Sequence, residues 1–174
     1  MNKTLLIIGL AVLMVLIGIG AFYVLDNHSK MTYVKTKEVY AAFKLKKELE
    51  AKLKITQDAR KNILDSLLIK IQLMSKNTKD ITNKEDNFKL DFLKQQYLQK
   101  KQQSEEDNQA LAQQYTDQIW GQLNQYIKDY GKQHKYKFIF GTSGDGNLMY
   151  AEESDDISKD LIEYVNLRYD GKVE

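Results

Sequence analysis

The pattern of apolar positions changes along this 174-residue chain. It begins with an unbroken apolar run, Leu5–Leu25. Its 21 residues are enough to cross a bilayer as one helix, which needs about 20. Secretory signal peptides have shorter apolar stretches that end at a small-x-small cleavage site. Gly18-Ile19-Gly20 fits such a site, but apolar residues continue to Leu25. We favour an uncleaved anchor over residues 1–26, with cleavage near Gly20 as the alternative.

Two long helices are predicted after a short polar linker and a strand over Met31–Lys35. Helical spacing runs from Val39 to Met74 and again from Phe88 to Tyr130. The tip between them is polar, and Thr82-Asn83-Lys84-Glu85 has the form of a capping box. Two of the six heptad positions counted from Val39 are charged, so the pattern predicts a loosely packed helical hairpin.

A small β body is predicted at the other end of this hairpin. Gly131 is placed to end the second helix, and two short strands follow, Tyr136–Phe140 and Asn147–Tyr150. The Asp145-Gly146 dipeptide between them favours a β-hairpin turn. A final amphipathic helix is predicted to include Ile157, Leu161 and Val165. The sequence therefore predicts an α+β fold, mostly α, with an arm at about 44–130 and a body at 31–43 and 131–170. The strand near Val34 is expected to pair with the hairpin at Phe138–Tyr150, which would bring both ends of the arm to one sheet. A sheet this small favours oligomerisation.

Composition argues against several functional classes. The chain has no cysteine, which excludes disulfides, zinc-thiolate sites and thiol nucleophiles. His28 and His134 lie in no metal-ligand pattern, and Gly144-Asp145-Gly146 lacks the spacing of a Walker loop or an EF-hand. A net charge of +2 is too small to predict nucleic-acid binding. We expect no catalytic site, cofactor or metal, and no enzymatic activity.

Charge is nevertheless unevenly distributed. Residues 44–106 contain 15 basic and 10 acidic side chains, while residues 136–174 contain 4 basic and 9 acidic ones. The basic arm could attract acidic proteins or anionic lipid headgroups. The alternative is an ordinary solvated helix surface with a lysine bias.

The order of these elements resembles the Skp/OmpH family of trimeric holdase chaperones. The likeness rests on Tyr33–Phe43, Lys44–Glu50, Phe138–Gly141, Gly144–Gly146, Leu148–Ala151 and Asp156–Ser158. The resemblance implies a homotrimer with three arms around a cavity. It also implies ATP-independent holding of unfolded outer-membrane proteins, and a periplasmic location for a single domain, 27–174. A retained anchor would confine that domain to the periplasmic face of the inner membrane.

Two sets of residues are candidates for assembly and for client binding. Nine apolar residues are predicted to hold the trimer body together: Val34, Val39, Phe43, Phe138, Phe140, Leu148, Tyr150, Leu161 and Val165. Phe88, Phe92 and Tyr97 near the arm tip are candidates for contacting client proteins, although aromatics at helical spacing more often pack against a partner helix. The rival interpretation is an anchored coiled-coil scaffold or spacer of a cell-envelope complex, which should have continuous apolar heptads.

Overall fold

A computed structural model describes residues 13–18, 30–77, 84–144 and 146–173. Its strands are β1 (Lys30–Lys35) and β2 (Tyr136–Thr142), and its helices are α1 (Thr36–Ala42), α2 (Lys44–Asn77), α3 (Lys84–Gln133) and α4 (Ser158–Tyr169), with a 3-10 turn at Glu153–Asp155. A short helical segment covers 13–18. Within these ranges no helix is both long and apolar enough to span a membrane. Most of the predicted anchor, Leu5–Leu25, lies outside the described residues.

The two strands pair in parallel, with Tyr33 opposite Phe140 and Val34 opposite Gly141. The expected pairing of the Val34 strand with the Phe138 segment is thus observed, but the predicted β-hairpin is wrong, because Asn147–Tyr150 forms no strand. The physical reason lies in the chain that follows β2. Gly144 and Gly146 both adopt positive φ, and the chain then crosses to the other edge of β1, where Ile157 N–H donates to Tyr33 O at 3.1 Å.

Helices α2 and α3 form the predicted antiparallel arm. The half-buried residues of α2 recur at spacings of three and four, through Leu53, Thr56, Arg60, Leu64, Leu67, Ile71 and Met74. These positions form one stripe along the helix, which packs on α3. The stripe is apolar from Leu64 onward, but polar Thr56 and charged Arg60 interrupt it nearer the body, so the seam is continuous in packing and broken in apolar character.

The hydrophobic core lies where the arm meets the sheet. Val39 comes from α1, Phe43 from the junction of α1 and α2, Leu123 from the last turns of α3, and Leu161 and Val165 from α4. All five have side chains that are at most 1% exposed. The core therefore needs both ends of the arm and the last helix together, and neither end folds over a core of its own.

Gly131 was expected to terminate the second helix, but α3 continues to Gln133. The left-handed residue after the helix is Lys135, with φ 58°. Gly131 has a packing role instead, because a Cβ there would lie 3.3 Å from the Ile139 side chain. The missing side chain lets β2 approach the helix closely.

Candidate functional site

The small sheet has two apolar faces, and only one of them is covered within the protomer. On the covered face, Val34 of β1 is buried in the core, Thr32 is buried with its hydroxyl donating to the Asp155 carbonyl, and Ile139 of β2 packs on Gly131. We call the other side the outer sheet face; it consists of Met31, Tyr33, Phe138 and Phe140. In β2, Phe138 and Phe140 stack with ring centroids 5.9 Å apart, yet 56% and 44% of their surfaces are exposed. A contiguous exposed apolar face of this kind is typical of interaction surfaces, which makes it a candidate functional site.

The nine residues predicted to hold the trimer body divide into two groups. Five of them are buried inside the single protomer: Val34, Val39, Phe43, Leu161 and Val165. Phe138, Phe140 and Tyr150 are exposed, the last at 80%, and Leu148 is half-buried. The first group stabilises the fold of one chain. Only the second group is available to a neighbouring copy.

The far end of the arm carries a second apolar surface. Phe88 is 73% exposed and Phe92 is 58% exposed. Because they lie four residues apart on α3, they project from the same side of the helix. With Met74, Lys89 and Leu93 they line an open cleft of about 300 Å³, which we call the tip cleft.

The single charge in the tip cleft is neutralised locally. Lys89 Nζ lies 2.6 Å from Glu85 Oε1, one helical turn earlier. The hydrogen bond to Glu85 and the negative charge of that residue raise the pKa of Lys89. The lysine is thereby held at the edge of an otherwise carbon-lined cleft, a surface suited to apolar side chains.

Tyr97, the third predicted contact residue, lies elsewhere. It is half-buried and lines a small polar cavity in the arm seam with Arg60, Leu64 and Ser104. Arg60 donates a hydrogen bond to Asn108 and lies 3.7 Å from Asp107. Tyr97 therefore packs between the arm helices, as aromatics at helical spacing usually do, whereas Phe88 and Phe92 do not.

The junction between β1 and α4 is polar and closely paired. Asp156 accepts hydrogen bonds from the Ser158 N–H at 2.9 Å and from the Ser158 hydroxyl, and forms an ion pair with Lys35 at 2.9 Å. Burial opposes ionisation of Asp156, but the hydrogen bonds from Ser158 and Lys35 outweigh it, so the pKa of Asp156 is lowered. These contacts fix the start of α4 beside the sheet.

Sequence reasoning missed several parts of these surfaces. Met31 joins the outer sheet face because β1 and β2 are parallel, which no local pattern indicated. Met74 and Leu93 line the tip cleft because α2 and α3 pair in one particular register. Met149 is 89% exposed in a segment that was assigned to a strand. In the part of the chain that the structure describes, no group of three metal-binding side chains is present.

The comparison with models of protein families gives a match. The model of a family described as outer membrane protein (OmpH-like) matches residues 30–165. The matched stretch includes β1, both arm helices, β2 and most of α4. The search of curated proteins finds no match.

Proposed function

The chain belongs to the OmpH-like family, and from this membership we propose that it is a periplasmic chaperone that holds unfolded outer-membrane proteins without ATP. It acts by binding and has no catalytic step. The observation that carries the proposal is the exposed apolar surface at the end of a long helical arm. An unfolded β-barrel protein offers many apolar side chains in extended chain, and each of them gains free energy by leaving water.

Many weak contacts suit this task better than one deep pocket. The tip cleft has room for one or two apolar side chains. Each such contact is weak, so a bound side chain can also dissociate readily. Several arms that act on one client would multiply these contacts, because after the first contact the others form at high effective concentration. The net positive charge of residues 44–106 should speed encounter with acidic clients and lose that effect as salt rises.

Three copies are proposed to assemble through the outer sheet face. Its four residues would leave water on assembly, and Leu148 and Tyr150 lie nearby, lining the same groove with Met31, Tyr33 and Phe140. Buried area at this face would supply the stability that a two-stranded sheet lacks alone. The arms then project from one body and can enclose a client between them.

The proposed location is the periplasmic face of the inner membrane, with Leu5–Leu25 as a single-pass anchor. The length and apolar character of that run support it. In the alternative, cleavage near Gly20 releases a soluble periplasmic chaperone. The holding activity is the same in both cases, since residues 30–165 contain the whole family match.

The test is suppression of aggregation by purified Asn27–Glu174, with an unfolded outer-membrane protein diluted from urea. We expect the double change Phe88→Ser and Phe92→Ser to raise the concentration required for suppression by about 30-fold, since each exposed aromatic that is buried by a client contributes roughly 1 kcal/mol. Leu98→Ser is the matched control, because Leu98 lies on the same helix, is 62% exposed and is not part of the tip cleft.

Three other results would change the conclusion. Equal losses in the double variant and in the Leu98→Ser control would mean that any apolar arm surface binds clients and the tip cleft has no special role. Full suppression by the double variant would remove the tip cleft from the proposal. No suppression by the unaltered fragment, if it is trimeric, would favour the scaffold or spacer of an envelope complex.

A further inference from the structure

The helical arm does not continue smoothly out of the body. The helix breaks at Phe43, whose φ of −68° and ψ of 127° are extended, so that α1 ends at Ala42 and α2 begins at Lys44. No glycine or proline occurs at this break. Its cause must therefore lie in the residues that pack around it.

One side chain of α4 bridges the break. Asn166 Nδ2 donates to the Ala42 carbonyl at 3.2 Å, and Asn166 Oδ1 accepts from the Lys44 N–H at 2.8 Å. Because the chain changes direction here, neither backbone group has its usual helical hydrogen-bond partner. An unpaired buried backbone group costs free energy. A single amide side chain thus satisfies the last carbonyl before the break and the first N–H after it.

Further contacts from the same turn of α4 fix both helices of the arm. Towards α2, the Tyr169 hydroxyl donates to Glu48 at 2.7 Å and Asp170 pairs with the Lys44 side chain at 2.5 Å. Towards α3, Arg168 Nη2 lies 3.4 Å from Asp129 Oδ2.

Phe43 is seated in the middle of these contacts. Its side chain is fully buried, with edge-on ring contacts to Tyr126 of α3 and Tyr169 of α4. The break therefore has an aromatic pivot with polar contacts on either side of it. Asn166, Arg168, Tyr169 and Asp170 all follow residue 165, where the match to the family model ends.

Because these contacts lie at the base of the arm, a small change in the angle between arm and body moves the distant part of the arm by several ångströms. Lys70 lies 26 residues beyond Lys44, so at 1.5 Å per residue it is about 39 Å along the arm, and a swing of about 10° at the break would move it by about 7 Å. We infer that Asn166–Asp170 is a root clamp that sets the angle between arm and body by bridging the helix break at Phe43. The width of the space between the arms of an assembly then depends on residues outside that space.

The root clamp can be tested by measuring distances in the full chain in detergent micelles. The chain contains no cysteine, so the pair Lys70→Cys and Lys159→Cys can carry spin labels without background. Both positions are exposed, one on the arm and one on α4. Labelled chain is mixed with an excess of unlabelled chain, so that measured distances are within one protomer.

We expect one narrow distance peak for the parent pair. Asn166→Ala should broaden it, or shift it by about 7 Å or more, because both backbone partners at the break lose their bond. Tyr169→Phe removes only the bond to Glu48 and should broaden the peak less. Glu163→Ala is the control, because this exposed residue of α4 is not among the clamp contacts. Circular dichroism melting shows whether each variant remains folded.

A peak for folded Asn166→Ala with the parent position and width would overturn the inference. If Asn166→Ala does not fold, the same distance measurement on Asn166→Asp tests the inference. That variant keeps the acceptor for Lys44 N–H and loses the donor to Ala42, so an unchanged peak would again refute the clamp.

The link to client size rests on the proposed function. A loosened root clamp should change the relative suppression of aggregation of large and small clients. A broadened peak without such a change would count against the client proposal and leave the root clamp intact.

Discussion

Replacing Phe138 by alanine should weaken assembly far more than it weakens the protomer. Phe138 is 56% exposed in the single chain, so roughly half of its burial free energy is still to be gained on assembly. Complete burial of such a side chain is worth about 1.5–3 kcal/mol, which leaves about 1 kcal/mol per copy. A closed trimer contains three copies, so it should lose about 3 kcal/mol. That loss lowers the trimerisation constant about 100-fold.

Sedimentation equilibrium of Asn27–Glu174 measures this effect directly. The midpoint concentration of a monomer–trimer equilibrium varies with the inverse square root of its constant, so a constant about 100-fold lower raises the midpoint about tenfold. Phe88→Ala is the matched control: Phe88 is 73% exposed but lies in the tip cleft, and its midpoint should not move. Identical midpoints for the parent fragment and Phe138→Ala would refute assembly through the outer sheet face, as would an unaltered fragment that stays monomeric at tens of micromolar.

Three further predictions concern stability and processing. Phe43→Ala should lower the free energy of unfolding by about 3–5 kcal/mol in urea titrations, because Phe43 is fully buried; a loss below about 1 kcal/mol would contradict its role as the pivot. The pKa of Asp156 is lowered in the fold, so its stabilisation is present above the ordinary value of 3.8 and is lost as pH falls through the lower, folded value. Asp156→Asn should flatten that acid-induced decline, and an unchanged pH profile would argue against the pairing with Lys35 and Ser158. Intact-mass measurement of membrane-extracted protein should include Leu5–Leu25; a species that starts at Ala21 would establish cleavage.

The arm could be predicted well because its signals are local. Helical periodicity needs only the sequence within each helix, and the six heptad positions counted from Val39 include Leu53, Arg60, Leu67 and Met74, which all lie in the observed seam. The break at Phe43 could not be predicted this way. Ala42-Phe43-Lys44 contains no helix breaker, and the residue that satisfies its backbone, Asn166, lies more than 120 positions away.

The sheet shows the complementary limitation. Strand character was identified correctly around Val34 and Phe138, and so was the pairing between these two distant segments. The additional strand at Asn147–Tyr150 is wrong, because the Asp-Gly dipeptide before it favoured a hairpin that does not form. The observed parallel pairing has no local turn signal, since the whole arm forms the connection between its strands. For the same reason the outer sheet face could not be assembled from sequence, and the buried members of the predicted trimer body could not be separated from the exposed ones.

The parallel pairing of β1 and β2 also has a consequence for the order of folding. Opposed residues such as Met31 and Phe138 are separated by more than 100 positions. Closing a flexible loop of that length costs about 4 kcal/mol in chain entropy, before any strand bond contributes. The contacts within the arm nearest its tip close much shorter loops, so the arm should form first and grow from the tip towards the body.

A completed arm brings its two ends to about 10 Å, the distance between packed helices, and removes most of that entropic cost. The two strands are then as close together as if a short loop connected them, so their pairing costs little further chain entropy. A chain whose arm is out of register would present β1 and β2 at the wrong offset and could not build the outer sheet face. The register of the two arm helices thus sets the register of the two strands. Only a protomer with the correct arm register forms the outer sheet face, through which it is proposed to assemble.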